Sequence, residues 1–96
     1  MPGTYYIYIM TNAHNTVLYT GATNNLVRRA YEHREHLSGG FTGKYQVTKL
    51  VYYEQCDSPE TAINREKQLK AGSRQKKLDL IMISNPEFRD LYPEIV

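Results

Sequence analysis

Two short runs rich in β-branched and aromatic residues, 5–10 and 17–21, flank a polar stretch, 11–16, with the composition of a hairpin turn. Side chains alternate faces along a strand, so Tyr6 and Tyr8 project together, as do Val17, Tyr19 and Gly21. The hairpin is thus expected to bring three phenols to one surface. The period then changes. Thr23-Asn24-Asn25 offers side-chain oxygens for a helix cap, Leu26, Ala30 and Leu37 recur at helical spacing, and Ser38-Gly39-Gly40 stops the pattern. At about 100° per residue those three positions fall within roughly 40° of one another. His33 lies inside that stripe and Arg29 on its edge, about 60° from Leu26, whereas Arg28 points almost directly away. Of the two arginines, Arg29 is the one expected to face the sheet.

Residues 41–46 read as a glycine-containing, basic connection, and 47–54 as a third strand. Asp57-Ser58-Pro59-Glu60 starts a second helix, with Ser58 at the cap and Pro59 at the first helical position, where its missing N–H costs nothing. Ala62, Ile63 and Leu69 form its apolar stripe and Gly72 ends it. Glu66 falls between Ala62 and Ile63 on the wheel, in the middle of the apolar face, where a carboxylate is expensive unless something pairs with it. Ser73 caps a third helix with Leu78, Ile81 and Met82 as its apolar contacts. Asn85-Pro86 closes it and opens a last short turn through Phe88, Leu91 and Tyr92. Residues 1–4 read as a frayed start. The expected architecture is α+β, a three-stranded, mainly antiparallel sheet flanked by helices in the order β-β-α-β-α-α.

Length and composition narrow this further. Ninety-six residues suit a single domain, 1–96, with one modest core. No apolar run approaches the roughly 20 residues of a membrane-spanning helix, and no signal-peptide pattern opens the chain, so a cytoplasmic location is expected. Cys56 is the only cysteine, which excludes an internal disulfide and a Cys-x-x-Cys site, and it reads as a structural residue. The formal net charge of +2 hides an uneven distribution. Arg65, Lys67, Lys70, Arg74, Lys76 and Lys77 face a single acid, Glu66, within the same stretch, whereas acids gather near the end. Such a run is either a solvated helix face or a footprint for nucleic acid. His33 and His36 stand three apart without the glutamate of a zinc-protease helix, so a zinc site is not expected.

The sequence resembles the GIY-YIG nuclease family at Tyr6-Ile7-Tyr8 and Tyr19-Thr20-Gly21, with Arg29 and His33 following Gly21 by eight and twelve residues. The run Gly40-Phe41-Thr42-Gly43-Lys44-Tyr45, the segment Leu50-Val51-Tyr52-Tyr53-Glu54 and the helix around Asn64-Arg65-Glu66-Lys67 are similar to the small stand-alone bacterial branch of that family, UPF0213. Tyr6 stands in place of the first glycine, and Ala22 stands where some members carry a lysine that assists the chemistry. The resemblance implies a metal-dependent endonuclease that hydrolyses DNA phosphodiesters with weak sequence specificity or structure selectivity. Tyr8, Tyr19, Arg29, His33 and Glu66 would be the catalytic set. Glu66 would hold one Mg²⁺ or Mn²⁺ ion, hard cations that take oxygen donors, and Arg29 would hold the phosphate bidentately. Tyr8 and Tyr19 are both candidates for activating or orienting the water. A phenol with an ordinary pKa near 10 is a poor base at neutral pH unless nearby positive charge favours the phenolate. His33 is open to two readings, a site residue or a satisfied core histidine. Asn85 likewise matches a polar residue near the site in some members or is a plain helix stop. Arg28, Lys44, Arg65, Lys67, Lys70 and Arg74 are the expected nucleic-acid contacts. The expected partner is DNA, branched or damaged forms included, bound by a monomer without a membrane. Two alternatives stay open: a nucleic-acid-binding module that does not cut, and an adaptor for a partner protein.

Overall fold

The computed structural model describes residues 4–35, 37 and 40–96, without the side chains of Phe41 and Thr42. The expected fraying of residues 1–3, the helix stop at Ser38-Gly39 and the excluded ligand His36 lie outside the described residues. Strands β1 (Tyr5–Thr11), β2 (Leu18–Thr23) and β3 (Lys49–Cys56) form one antiparallel sheet in the order β2-β1-β3. The turn between β1 and β2 is tied by Asn12, whose Oδ1 accepts from the backbone N–H groups of Thr16 at 2.8 Å and Val17 at 3.2 Å. This is the local bonding that makes asparagine a turn former.

Helices α1 (Leu26–Arg34), α3 (Pro59–Ala71) and α4 (Arg74–Ser84) start where the sequence supplies caps. The side chains of Asn25, Ser58 and Ser73 accept from the N–H groups of Arg28, Thr61 and Lys76 respectively. One sheet face, with Tyr8, Met10 and Leu50, packs against Leu26 and Ala30 of α1 and Leu91 near the short α5 (Tyr92–Ile95). The opposite face buries Ile7 and Ile9 completely among Ala62, Leu69 and Ile81 of α3 and α4. Each such side chain contributes about 1.5–3 kcal/mol relative to exposure. Cys56 belongs to this second layer, and burial pushes its thiol above the usual range, consistent with a structural residue.

Several expectations are corrected. The apolar stripe of α1 ends at His33, because the helix closes at Arg34 and the Leu37 N–H bonds back to the Glu32 carbonyl in a wide final turn; Leu37 is 66% exposed. The stretch expected as a plain connection holds a one-turn helix, α2 (Gly40–Lys44), entered through Gly40 at φ +55°, a conformation glycine adopts without a Cβ penalty. The third strand is shifted two residues toward the C-terminus. Its pairing skips Val51 between Ile9↔Tyr52 and Met10↔Leu50, and the Val51 carbonyl accepts from Asn85 Nδ2 at 3.1 Å. Asn85 also bonds the Arg89 backbone through both ends of its amide, so its place is under the C-terminal segment that covers the edge of β3. Ile63 and Met82, expected inside, are exposed.

Candidate active site

The Tyr8 ring crosses directly over Gly21, its cross-strand partner. A Cβ at position 21 would lie 2.5 Å from both Cζ and the hydroxyl oxygen of Tyr8. The second tripeptide therefore ends in glycine because the phenol of the first occupies the space that any side chain would fill. Gly21→Ala is expected to destabilise the fold by about 1–3 kcal/mol, since Tyr8 is 1% exposed and cannot yield without displacing its neighbours. Gly43→Ala, whose Cβ would meet nothing within 4 Å, should stay within about 0.5 kcal/mol. Urea melts of the two variants check this, and equal stabilities would show that Tyr8 is free to move aside.

Over Gly21, the Tyr8 hydroxyl shares a 3.2 Å hydrogen bond with Nε2 of His33, which α1 turns inward. Tyr19 completes a triangle of rings, with its centroid 6.3 Å from Tyr8 and 5.4 Å from His33, and Tyr8 to His33 at 5.8 Å. The choice between the two arginines made on the helical wheel matches their placement. Arg29 lies close enough to the Tyr8 oxygen for its charge and N–H donors to pull the phenol's pKa down, and its side chain is 36% exposed. Arg28 is 59% exposed and faces Glu32 at 3.8 Å. Glu32 also accepts from Arg29 at 3.3 Å, a pairing that the three- and four-residue spacings encode.

Charges around Tyr8 oppose one another. Burial, then the neighbouring Tyr19, pushes its pKa up to about 12; Arg29 pulls it back through charge and a hydrogen bond, and the Glu66 carboxylate raises it again. Burial and then the Arg29 charge lower the pKa of His33, so its ring is neutral at pH 7. In the tautomer that carries the proton on Nδ1, Nε2 accepts from the Tyr8 hydroxyl.

Glu66 lies close enough to Tyr8 to influence its ionisation, but its environment differs from the expected one. Its side chain is 22% exposed and pairs at 3.0 Å with Lys70, one turn on, which is 54% exposed. The carboxylate thus sits at the margin of the apolar face of α3 and leans out to a cation. Among the described residues no group of three or more His, Cys, Asp or Glu side chains gathers around a point. One carboxylate is still a sufficient protein donor for a hard divalent cation that keeps several waters and takes substrate phosphate oxygens, and Lys70 is exposed enough to give way.

The basic residues divide by what they already bind. Arg65 donates to both oxygens of Glu54, at 3.0 and 2.9 Å, and to Gln68, and Tyr52 also donates to Glu54. That network holds Glu54 below the usual carboxylate range, chiefly through the Arg65 hydrogen bonds, and ties β3 to α3. Arg74 reaches the Asn15 carbonyl at 3.4 Å, and the Lys44 ammonium lies 5.3 Å from the Tyr45 ring centroid. Lys67 is exposed on α3. Lys77, not singled out on sequence, joins Lys70 in lining a 260 Å³ cleft with Leu18, Tyr19 and Thr20. Only its place in the basic run hinted at this, because α3 and α4 are brought beside β2 by tertiary packing.

The model of the GIY-YIG catalytic domain matches residues 4–79. A UPF0213 protein of Syntrophus aciditrophicus is 42% identical over 86 residues, covering 85% of this chain and 93% of that one. Another, from Natronomonas pharaonis, is 37% identical over 81 residues, covering 84% and 94%. Among solved structures, the solution NMR structure of a UPF0213 protein of Bacillus halodurans is similar with a TM-score of 0.57 and 26% identity, covering 91% of this chain and 92% of that one.

Proposed function

Because the chain belongs to the GIY-YIG family, in its UPF0213 branch, we propose that it is a metal-dependent endonuclease acting on DNA phosphodiesters with little sequence preference. The observation that supports this most is the meeting of His33 Nε2 and the Arg29 guanidinium on the hydroxyl of Tyr8, over a glycine that leaves that oxygen room. Arg29 is permanently charged and positioned to receive a phosphoryl oxygen as charge develops on it. Tyr8, when ionised, aligns and deprotonates the attacking water, and His33 Nε2, hydrogen-bonded to the same oxygen, holds it in position. Tyr19 orders the same water from the other side of the ring cluster. Glu66 would hold one Mg²⁺ or Mn²⁺ ion, which when bound supplies positive charge for the transition state and ordered waters. Exposed Arg28, Lys44, Lys67 and Arg74, with Lys70 and Lys77 at the cleft, grip the backbone, while Arg65 acts through Glu54 to hold α3 in place.

A phenol raised to about 12 stays protonated unless further positive charge arrives, and this favours the second reading, a module that grips DNA without cutting it. Incubation with plasmid, branched and single-stranded DNA in Mg²⁺, in Mn²⁺ and in EDTA separates the two. Cutting with metal and none in EDTA is expected. The rate should rise by about tenfold per pH unit between 6 and 8, because the ionised fraction of a group with a high pKa grows at that slope. A flat profile would remove Tyr8 as the base and leave it as an orienting group.

A further inference from the structure

A cavity of about 590 Å³ opens on the same sheet face as Tyr8, at the end of β1 where α1 begins. Its floor holds Tyr6 and Tyr53, packed edge to face with ring centroids 6.3 Å apart and an interplanar angle of 71°. Gln55, the register partner of Tyr6, lies beside them, and Asn24, Asn25, Leu26 and Val27 line the cavity at the start of α1. Among the described residues the lining holds no lysine or arginine, and its acid, Glu94, is paired with Arg89 at 2.6 Å. Such a lining offers phosphate no cationic side chain. It suits a flat, neutral group that offers a π-face to tyrosine and hydrogen-bonding edges to side-chain amides, which is the chemistry of a nucleobase.

Its position favours a base from a bound strand. Tyr6 and Tyr8 are two residues apart on one strand, hence about 7 Å apart on one face, and Tyr53 is the direct cross-strand partner of Tyr8. A strand whose phosphate rests at Arg29 and Tyr8 therefore carries a neighbouring base past the mouth of the cavity. We propose that this cavity receives an unpaired nucleobase next to the phosphate held at Tyr8, so that substrates with an extruded or mismatched base are selected. Extruding a paired base costs unstacking and unpairing, whereas an unpaired one enters without that cost, and this supplies the selectivity. The inference rests on the nuclease reading for the location of the phosphate, but its test does not depend on cutting.

The test measures binding in EDTA by fluorescence anisotropy, with three duplexes: fully paired, carrying one unpaired adenine, and carrying an abasic site in place of that adenine. The unpaired adenine should bind about tenfold tighter than the abasic duplex, a factor within the range of one base stacked on an aromatic side chain. Tyr53→Ala and Gln55→Ala, both at exposed positions, should each reduce that ratio, and the double variant should abolish it while keeping affinity for the paired duplex. Equal affinity for adenine and abasic duplexes, or a preference that survives the double variant, would overturn the proposal. Saturation by free adenosine at micromolar concentration, read from tyrosine fluorescence, would also overturn it by assigning the cavity to a free nucleoside. Absence of cleavage with Mg²⁺ or Mn²⁺ on these duplexes would sink the nuclease reading while leaving base discrimination measurable.

Discussion

Glu66→Gln is expected to lower cleavage by about a thousandfold or more, because the substitution keeps the shape of the side chain and removes the charge that would hold the cation, its electrostatic stabilisation and its ordered waters. Stability should barely change. Among the described residues the ion pair of Glu66 is with Lys70, an exposed i,i+4 neighbour worth about 0.3–0.5 kcal/mol, which solvent takes over when the carboxylate is gone. Had the carboxylate been fully enclosed with a buried partner, neutralising it would have stranded that partner at a cost of about 3–5 kcal/mol. DNA binding should survive, as the exposed cations are untouched. Melts in EDTA beside a cleavage assay decide the matter. A cleavage rate per folded molecule close to that of the unchanged protein would remove Glu66 from the metal site, whatever happened to the melting temperature.

Arg29→Ala should lower cleavage by about a hundredfold or more, the usual loss when a preorganised donor to a developing charge is removed, about 3 kcal/mol. Arg28→Ala should cost far less. The comparison is well controlled, because both arginines sit on α1 and both face Glu32, at 3.8 and 3.3 Å. Each substitution therefore forfeits one partly exposed ion pair of about 0.2–1 kcal/mol, and the two melting temperatures should be similar. What differs is that Arg29 alone reaches the Tyr8 oxygen. Loss of that donor should also raise the Tyr8 pKa further, since the Arg29 charge and hydrogen bond are what lower it. Alkaline titration of tyrosinate absorbance on both variants gives a readout independent of turnover. Equal cleavage losses in the two variants would count against the role assigned to Arg29.

The sequence by itself determined the elements whose rules are local. A polar turn between two β-branched and aromatic runs, caps at Asn25, Ser58 and Ser73, Pro59 at a first helical turn and Gly72 at a last one each act within a few residues, so they could be read without knowing what lies beside them. The three-strand antiparallel sheet, the inward turn of Arg29 and His33, and the family followed from those periods and from two tripeptides. Where an element stops against a neighbour was not local. The shifted β3 with its skipped Val51 depends on Asn85 arriving from 34 residues away, and α1 ends early because of how the chain leaves Glu32. Burial was not local either, since a helical wheel gives the relative directions of side chains and not which of them the sheet will cover. The face of α3 that meets β1 and β2 is the one carrying Ala62 and Leu69, so Ile63, about 100° from Ala62, stays exposed and Glu66 lies at the margin. Pairing across elements was decided by packing alone: Arg65 is given to Glu54, Lys77 is brought beside Tyr19, and the Tyr8 ring is laid across Gly21. Those distances are set by the docking of whole helices on the sheet, and no spacing along one chain segment contains them.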